Sequence, residues 1–205
     1  MRKALAWVLA VGLALTGAPA TAAEEQGPEE IIRGATERVL DALREHEGEP
    51  EQEDLYDLVR EEVLPHINMK LVTRFAMGQH WNAASSDQRR AIAEELTTLL
   101  IRTYSEPLLE YDDEEVVYGN ARVDEERGRA SMQVEVEQDD GPAIPLIYKF
   151  RKRDDEPWQV FDVSVEGVSL VTSYRDNFNS EIRDNGVEGL LEKLRERNER
   201  GKTGL

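Results

Sequence analysis

Hydrophobic positions along this chain follow two spacings. From about residue 30 to residue 111 they recur every three or four positions, between residues 116 and 165 they alternate, and beyond Gly167 the helical spacing returns. Ile32, Ala35, Val39, Ala42 and Leu43 predict a first amphipathic helix, which gives way to a charged loop from Glu45 to Glu53 containing Gly48 and Pro50. A second helix from about Gln52 places Leu55, Leu58, Val59 and Val63 inside and stops at Pro65. Asn68 caps a short third helix carrying Met69, Val72 and Phe75, and Gly78 closes it. Ser85 and Gln88 have the spacing of a capping box, so a long helix follows, with Ile92, Leu96, Leu99, Leu100 and Thr103 as its apolar stripe. Pro107, which lacks an N–H and crowds the preceding turn, kinks or restarts that helix. Leu108, Leu109 and Tyr111 then carry the apolar face to an acidic turn at Asp112 to Glu115.

Alternation takes over at Val116. The first predicted strand is Val116 to Ala121; the second is Ala130 to Glu137, with Met132, Val134 and Val136 on one face and a turn at Gln138 to Gly141. In the third, Leu146, Tyr148 and Phe150 lie opposite Ile147, Lys149 and Arg151, and a charged hairpin from Arg153 to Pro157 leads to a fourth. That fourth strand, with Val160, Phe161, Val163 and Val165, organises the chain, because at Glu166 and Gly167 it turns directly into a helix bearing Val168, Val171, Tyr174 and Phe178. A change of period at a glycine marks a sheet with helices laid on one side. The fold class is therefore α+β: helices on one face of a curved antiparallel sheet of at least four strands. Gly186 interrupts the chain, Val187, Leu190, Leu191 and Leu194 build a last helix, and the tail beyond Asn198 is charged.

The first residues follow a different logic. Arg2 and Lys3 precede an apolar run from Ala4 to Leu15, and small residues from Ala18 to Ala23 offer a cleavage site, so residues 1–23 read as a secretory signal peptide. Export leaves residues 24–198 as one domain and 199–205 as a charged tail. The absence of cysteine excludes a lipidated cysteine and any disulfide, so stability rests on packing. With 43 acidic against 25 basic residues, the net charge of −18 argues against nucleic acid and against passive adsorption to an anionic membrane. It reads as a solvated, self-repelling surface or as an acidic docking face.

Candidate chemistry is sparse. His46, His66 and His80 lie in separate segments without metal-ligand spacing, and no glycine-rich phosphate loop is present. Gly167 to Ser169 begins like a nucleophile elbow, but Val171 stands where that turn needs glycine, and Ser169 is better placed to open a helix. The run Asp112 to Glu115 lacks the alternating oxygen ligands of a calcium loop. Asp162, inside an apolar strand, is either a buried base or a carboxylate that turns outward or meets an arginine. Apolar residues on the helices and one sheet face remain as the candidate functional surface.

An ordered series of motifs sharpens this reading: Leu64 and Pro65, Gly78 to Trp81, Gln88 and Arg89, Thr103 and Tyr104, Tyr111, Trp158 to Asp162, Glu166 to Val171, and Gly186 to Leu191. The series covers most of the chain beyond the leader and resembles the MlaC family, the toluene-tolerance family of periplasmic phospholipid-binding proteins. The resemblance implies a deep apolar cavity between helices and sheet that takes the acyl tails of a phospholipid as cargo, with no cofactor, metal or catalytic group. It also implies two partners: an outer-membrane lipoprotein and porin complex, and an inner-membrane ABC transporter with an MCE-domain hexamer. A monomer shuttling between them would maintain outer-membrane lipid asymmetry. Periodicity then nominates the lining as Val72, Phe75, Leu96, Leu100 and Tyr104 from the helices. The sheet and the helix after it contribute Met132, Val134, Tyr148, Phe150, Phe161, Val163, Val168 and Val171.

Two other classes share this architecture. In a small-molecule isomerase or hydratase of the NTF2-like type, Asp162 with Tyr148 or Tyr174 would be an acid and base pair in a smaller, partly polar cavity. A periplasmic adaptor acting through its acidic surface would have a filled interior.

Overall fold

A computed structural model describes residues 26–201, apart from 47, 49, 107, 109–114, 139–140 and 154–155. Four helices come first: α1 (Pro28–Glu45), α2 (Gln52–Glu62), α3 (Met69–Met77) and α4 (Ser86–Ser105). Strands β1 (Val116–Tyr118), β2 (Arg122–Asp124), β3 (Arg129–Val136), β4 (Ile144–Arg151), β5 (Gln159–Val165) and β6 (Val168–Ser169) follow, and α5 (Leu170–Glu199) comes last. The signal-peptide stretch, the kink at Pro107, and the positions of Leu109, Tyr111 and Asp112 to Glu114 lie outside the described residues, as do parts of the loops at 45–53, 138–141 and 153–157.

Local capping chemistry fixes the helix starts. Asn68 Oδ1 accepts from the Leu71 N–H at 2.9 Å, and Gly78 ends α3 with a positive φ of 52°. The Ser85 hydroxyl accepts from the Gln88 N–H at 3.1 Å while the Gln88 side chain accepts from the Ser85 N–H at 2.9 Å, which satisfies two donors at the start of α4. Ile92, Leu96 and Leu99 of α4 are completely buried. In α2 the interior falls on Leu55 and Tyr56, whereas Leu58, Val59 and Val63 are half-buried, because the helix is covered on a narrower arc than its apolar stripe.

The strands form an open antiparallel sheet of six, ordered β1-β3-β4-β5-β6, with β2 pairing β3 along the edge that β1 also uses. The strand expected over Val116 to Ala121 thus ends at Tyr118, and a second short strand beyond it, β2, continues along the same edge. The break falls at Gly119, whose N–H donates to the Gln133 carbonyl at 2.9 Å and where a Cβ would stand 2.9 Å from that same oxygen. A second departure concerns the strand-to-helix turn. Glu166 and Gly167 both take positive φ, 50° and 83°, so the chain reverses, and Val168 and Ser169 pair with Val165 and Ser164 as β6 before α5 begins. Val168 therefore belongs to an edge strand, not to the helix its spacing suggested.

Gly186, with φ 73° and ψ −179°, is non-helical, so α5 consists of two helical segments meeting at a kink there, as the sequence suggested. The second half carries Leu190, Leu191 and Leu194 back onto α4. A bulge in the pairing of β4 with β5, at Lys149 and Phe150, bends the sheet.

Apolar packing divides into two clusters. One joins α3, α4 and α5 through Val72, Met77, Ile92, Leu96, Leu99, Tyr174, Phe178 and Leu191. The other sets Ile31 and Ile32 of α1 on Met132, Val134, Phe150, Trp158 and Val160 of the sheet. Among the described residues, Ile67 is the one side chain packed against both.

Candidate functional site

The junction of β5 with α5 is held by a buried carboxylate. Asp162, 6% exposed, accepts from Lys149 Nζ at 2.8 Å, from the Ser169 hydroxyl at 2.8 and 3.0 Å, and from the Val171 N–H at 3.1 Å. Ser169 in turn accepts from the Thr172 N–H at 3.1 Å, so it caps α5 while its proton serves the carboxylate. A carboxylate at a helix N-terminus also meets the favourable end of the helix dipole. Asp162 meets a lysine, a hydroxyl and a backbone amide, which explains why an acidic residue sits in this strand.

Other ties hold the helices to the sheet at its margins. Asn68 donates through Nδ2 to Gln159 Oε1 at 2.8 Å and through its backbone to the Val160 carbonyl at 2.8 Å. The rings of Phe75 on α3 and Phe161 on β5 stack obliquely, with centroids 5.3 Å apart.

Between these ties the middle of the sheet is thinly covered. β4 is flanked by β3 and β5, yet only Phe150 of its eight residues is buried. Tyr148 is half-buried by exposure, but the surrounding protein pushes its phenol up to about 12, mainly by burial and secondarily through Tyr118. Leu146 and Val163, on the same face by alternation and pairing, are half-buried too. On α4, Tyr104 is 42% exposed and hydrogen-bonds Tyr174, and burial raises both phenols above their ordinary value.

The nominated lining residues fall into three groups. Val72, Leu96 and Val171 are buried in the helical cluster, and Met132, Val134 and Phe150 in the sheet cluster. Leu100, Tyr148, Phe161 and Val163 are half-buried. Phe75, Tyr104 and Val168 are 41%, 42% and 60% exposed. Sequence reasoning passed over Leu146, although it alternates with Tyr148, and over Ile67, whose place beside both clusters depends on an isolated bridge to Val160 that no periodicity reveals.

The histidines have ordinary surroundings. His66 is held below its usual value by burial and by Arg38, with Glu62 opposing; His80 Nε2 lies 2.7 Å from Asn179 Oδ1; His46 lies 3.6 Å from Asp54. Among the described residues no group of three or more His, Asp or Glu is placed to hold a metal ion, and no helix is long and apolar enough to cross a membrane.

Comparison with known proteins fits this geometry. The family model described as MlaC protein matches residues 33–196. The intermembrane phospholipid transport system binding protein MlaC of Haemophilus influenzae is 22% identical over 180 residues, covering 86% of this chain and 84% of that protein. Toluene tolerance protein ttg2D of Pseudomonas putida is 23% identical over 175 residues, covering 84% of this chain and 80% of that protein. Among solved structures, the phospholipid-binding protein from Ralstonia solanacearum, in complex with a phospholipid, superposes with a TM-score of 0.77 at 26% identity. That match covers 86% of this chain and 99% of the other.

Proposed function

The chain belongs to the MlaC family, and from that premise we propose that it is a periplasmic phospholipid carrier. Residues 1–23 direct export, residues 24–198 form the lipid-binding domain, and the cargo is a diacyl phospholipid whose tails lie between the helical layer and the sheet. As a monomer, it takes lipid from one membrane complex and gives it to another: an outer-membrane lipoprotein and porin complex on one side, an inner-membrane ABC transporter with an MCE-domain hexamer on the other. This traffic maintains outer-membrane lipid asymmetry.

Physical chemistry explains why such a protein needs no catalytic group. Two acyl chains hold on the order of 30 methylenes, and exposing them to water costs roughly 24 kcal/mol at about 0.8 kcal/mol each. A protein wall in place of the neighbouring tails removes much of that cost, so transfer becomes nearly neutral and its direction is left to the partners. The headgroup stays in water, and few polar contacts select among headgroups.

The observation that best supports this reading is Tyr148: central strand, desolvated phenol, yet accessible surface, with Leu146 and Val163 beside it in the same state. A filled core would bury all three. The acid and base reading loses its base, because the Asp162 carboxylate is occupied by three donors. Native mass spectrometry of protein purified from the periplasm tests the proposal. The expected result is a mass increment matching a diacyl phospholipid; protein recovered entirely lipid-free under gentle conditions refutes it.

A further inference from the structure

The surface of this acidic protein contains a concave basic site that the carrier reading does not use. A pocket of about 130 Å³ is lined by Asn68, Lys70, Leu71 and Arg74 from the start of α3, and by Arg151, Arg153 and Glu156 from the end of β4 and the loop after it. Among the described residues, four cationic side chains thus line it with one carboxylate, in a chain whose net charge is −18. Among the described residues none of the four forms an ion pair, although the same surface pairs Arg38, Arg60, Arg127 and Arg200 with acidic neighbours.

The arrangement carries a cost. Arg151 stands directly opposite Arg129 in the pairing of β3 with β4, and like charges facing each other across strands are destabilising. Nothing in the fold requires both to be arginine, since a residue of opposite sign at either position would stabilise the pair. The walls are also fixed in place: Asn68 is bonded to Gln159, the strand partner of Arg151, and the Glu156 N–H donates to the Arg153 carbonyl at 2.8 Å.

We infer that this pocket is a seat for a doubly charged phosphate group. Three guanidinium forks and an ammonium suit phosphate oxygens, which accept paired N–H donors. The excess of cations matches a group carrying about −1.5 to −2 charges better than a single carboxylate. The pocket is well below the roughly 300 Å³ at which drug-sized ligand sites begin, so it holds a headgroup-sized anion and no acyl chain. Arg151 alternates with Phe150 and so faces away from the Tyr148 side of β4. The inference rests on the residues of this pocket and not on where the carrier reading seats the acyl tails. Two sources share the required chemistry: free inorganic phosphate, and the phosphomonoester headgroup of a lipid such as phosphatidate in a membrane.

The test is an NMR titration of the purified full-length mature protein with inorganic phosphate at constant ionic strength, against a chloride control. Saturable shifts of the Lys70, Leu71 and Arg151 amides are expected. Arg74→Gln and Arg151→Gln should each weaken binding by about tenfold or more, with Arg74→Lys retaining part of it. Arg74 is exposed, so its variants should keep the wild-type thermal midpoint. Flotation with phosphatidate vesicles, competed by inorganic phosphate, assigns the headgroup as the source; phosphate binding without flotation assigns the free anion. Shifts that chloride reproduces, shifts that survive R74Q/R151Q, or binding of an acidic peptide in place of phosphate overturn the inference.

Discussion

Replacing Asp162 tests the strand-to-helix clamp. In Asp162→Ala the Val171 N–H loses its acceptor at a buried position, and leaving such a donor unsatisfied costs about 1–3 kcal/mol. The Ser169 hydroxyl loses a charge-assisted bond, for which about 1.5–3 kcal/mol is typical, although it can turn elsewhere and recover part. Lys149 adds little, because its side chain is 41% exposed and returns to water, in the range of about 0–1 kcal/mol for exposed pairs. Together these give about 3–4 kcal/mol, close to the penalty of about 3–5 kcal/mol seen when one partner of a buried pair is removed. For a chain of this length that lowers the thermal midpoint by roughly 10 °C. Asp162→Asn keeps acceptors for Ser169 and Val171 and should cost about 1 kcal/mol, the price of a neutral bond in place of a charged one. Lys149→Ala should cost less still. Urea denaturation monitored by circular dichroism ranks the three variants. The reasoning is refuted if K149A proves as destabilising as D162A, or if D162A stays within about 1 kcal/mol of wild type, a loss that an exposed ion pair alone could explain.

Four further outcomes follow from the same geometry. Val163→Asp puts a charge on the half-buried wall opposite Tyr148 and should abolish copurifying lipid while far-UV dichroism stays native; a folded variant with a full lipid load contradicts the carrier assignment. The Tyr148 phenol, raised from 10.0 to about 12, holds its proton in the folded state at pH values where the unfolded chain has lost it. Its contribution is therefore complete below pH 10 and disappears as pH rises from 10 to about 12, and Tyr148→Phe should flatten that arm of the stability profile; an unchanged alkaline slope speaks against it. Gly186→Ala forces a side chain into φ 73° and ψ −179° and should cost about 1–3 kcal/mol in chemical denaturation, so an unshifted midpoint would show that the bend is not built on glycine. Gentle delipidation should lower the thermal midpoint and readdition of phospholipid restore it, since a ligand bound only to the folded state stabilises it; equal midpoints count against cargo between the layers.

What could be read from the sequence is what local chemistry determines. Asn68, Ser85 with Gln88, and Ser169 cap their helices by bonding groups three residues away, and each is visible as a spacing. The features that escaped depend on distant partners. Gly119 breaks a strand because of a carbonyl on β3, and Val168 fits both periods, so only the positive φ values at Glu166 and Gly167 decide between them. Asp162 could be singled out but not explained, because its three donors come from β4, β6 and α5. The fold class was recoverable from the change of period, while the coverage of the lining candidates was not. Leu96 and Leu100 share a helix stripe and Phe150 and Tyr148 share a strand face, yet one of each pair is fully buried and the other half-exposed.

That contrast bears on how such a fold keeps two layers apart. Apolar contacts have no direction, and layers held by them alone would slide together until the middle of the sheet was covered. Here the ties between helices and sheet are polar and lie at the margins: Asp162 to the first turn of α5, and Asn68 to Gln159 and Val160. Each has an optimum length near 2.9 Å and resists compression as well as separation. The apolar clusters are sealed separately, one among helices and one between α1 and the sheet, with Ile67 alone packed against both among the described residues. Tyr148, Leu146 and Val163 can then stay half-buried without being drawn shut, because closing over them would break directional bonds at the rim. The accessible middle and the polar rim are thus one device, and weakening the rim at Asp162 should reduce lipid retention before it unfolds the chain.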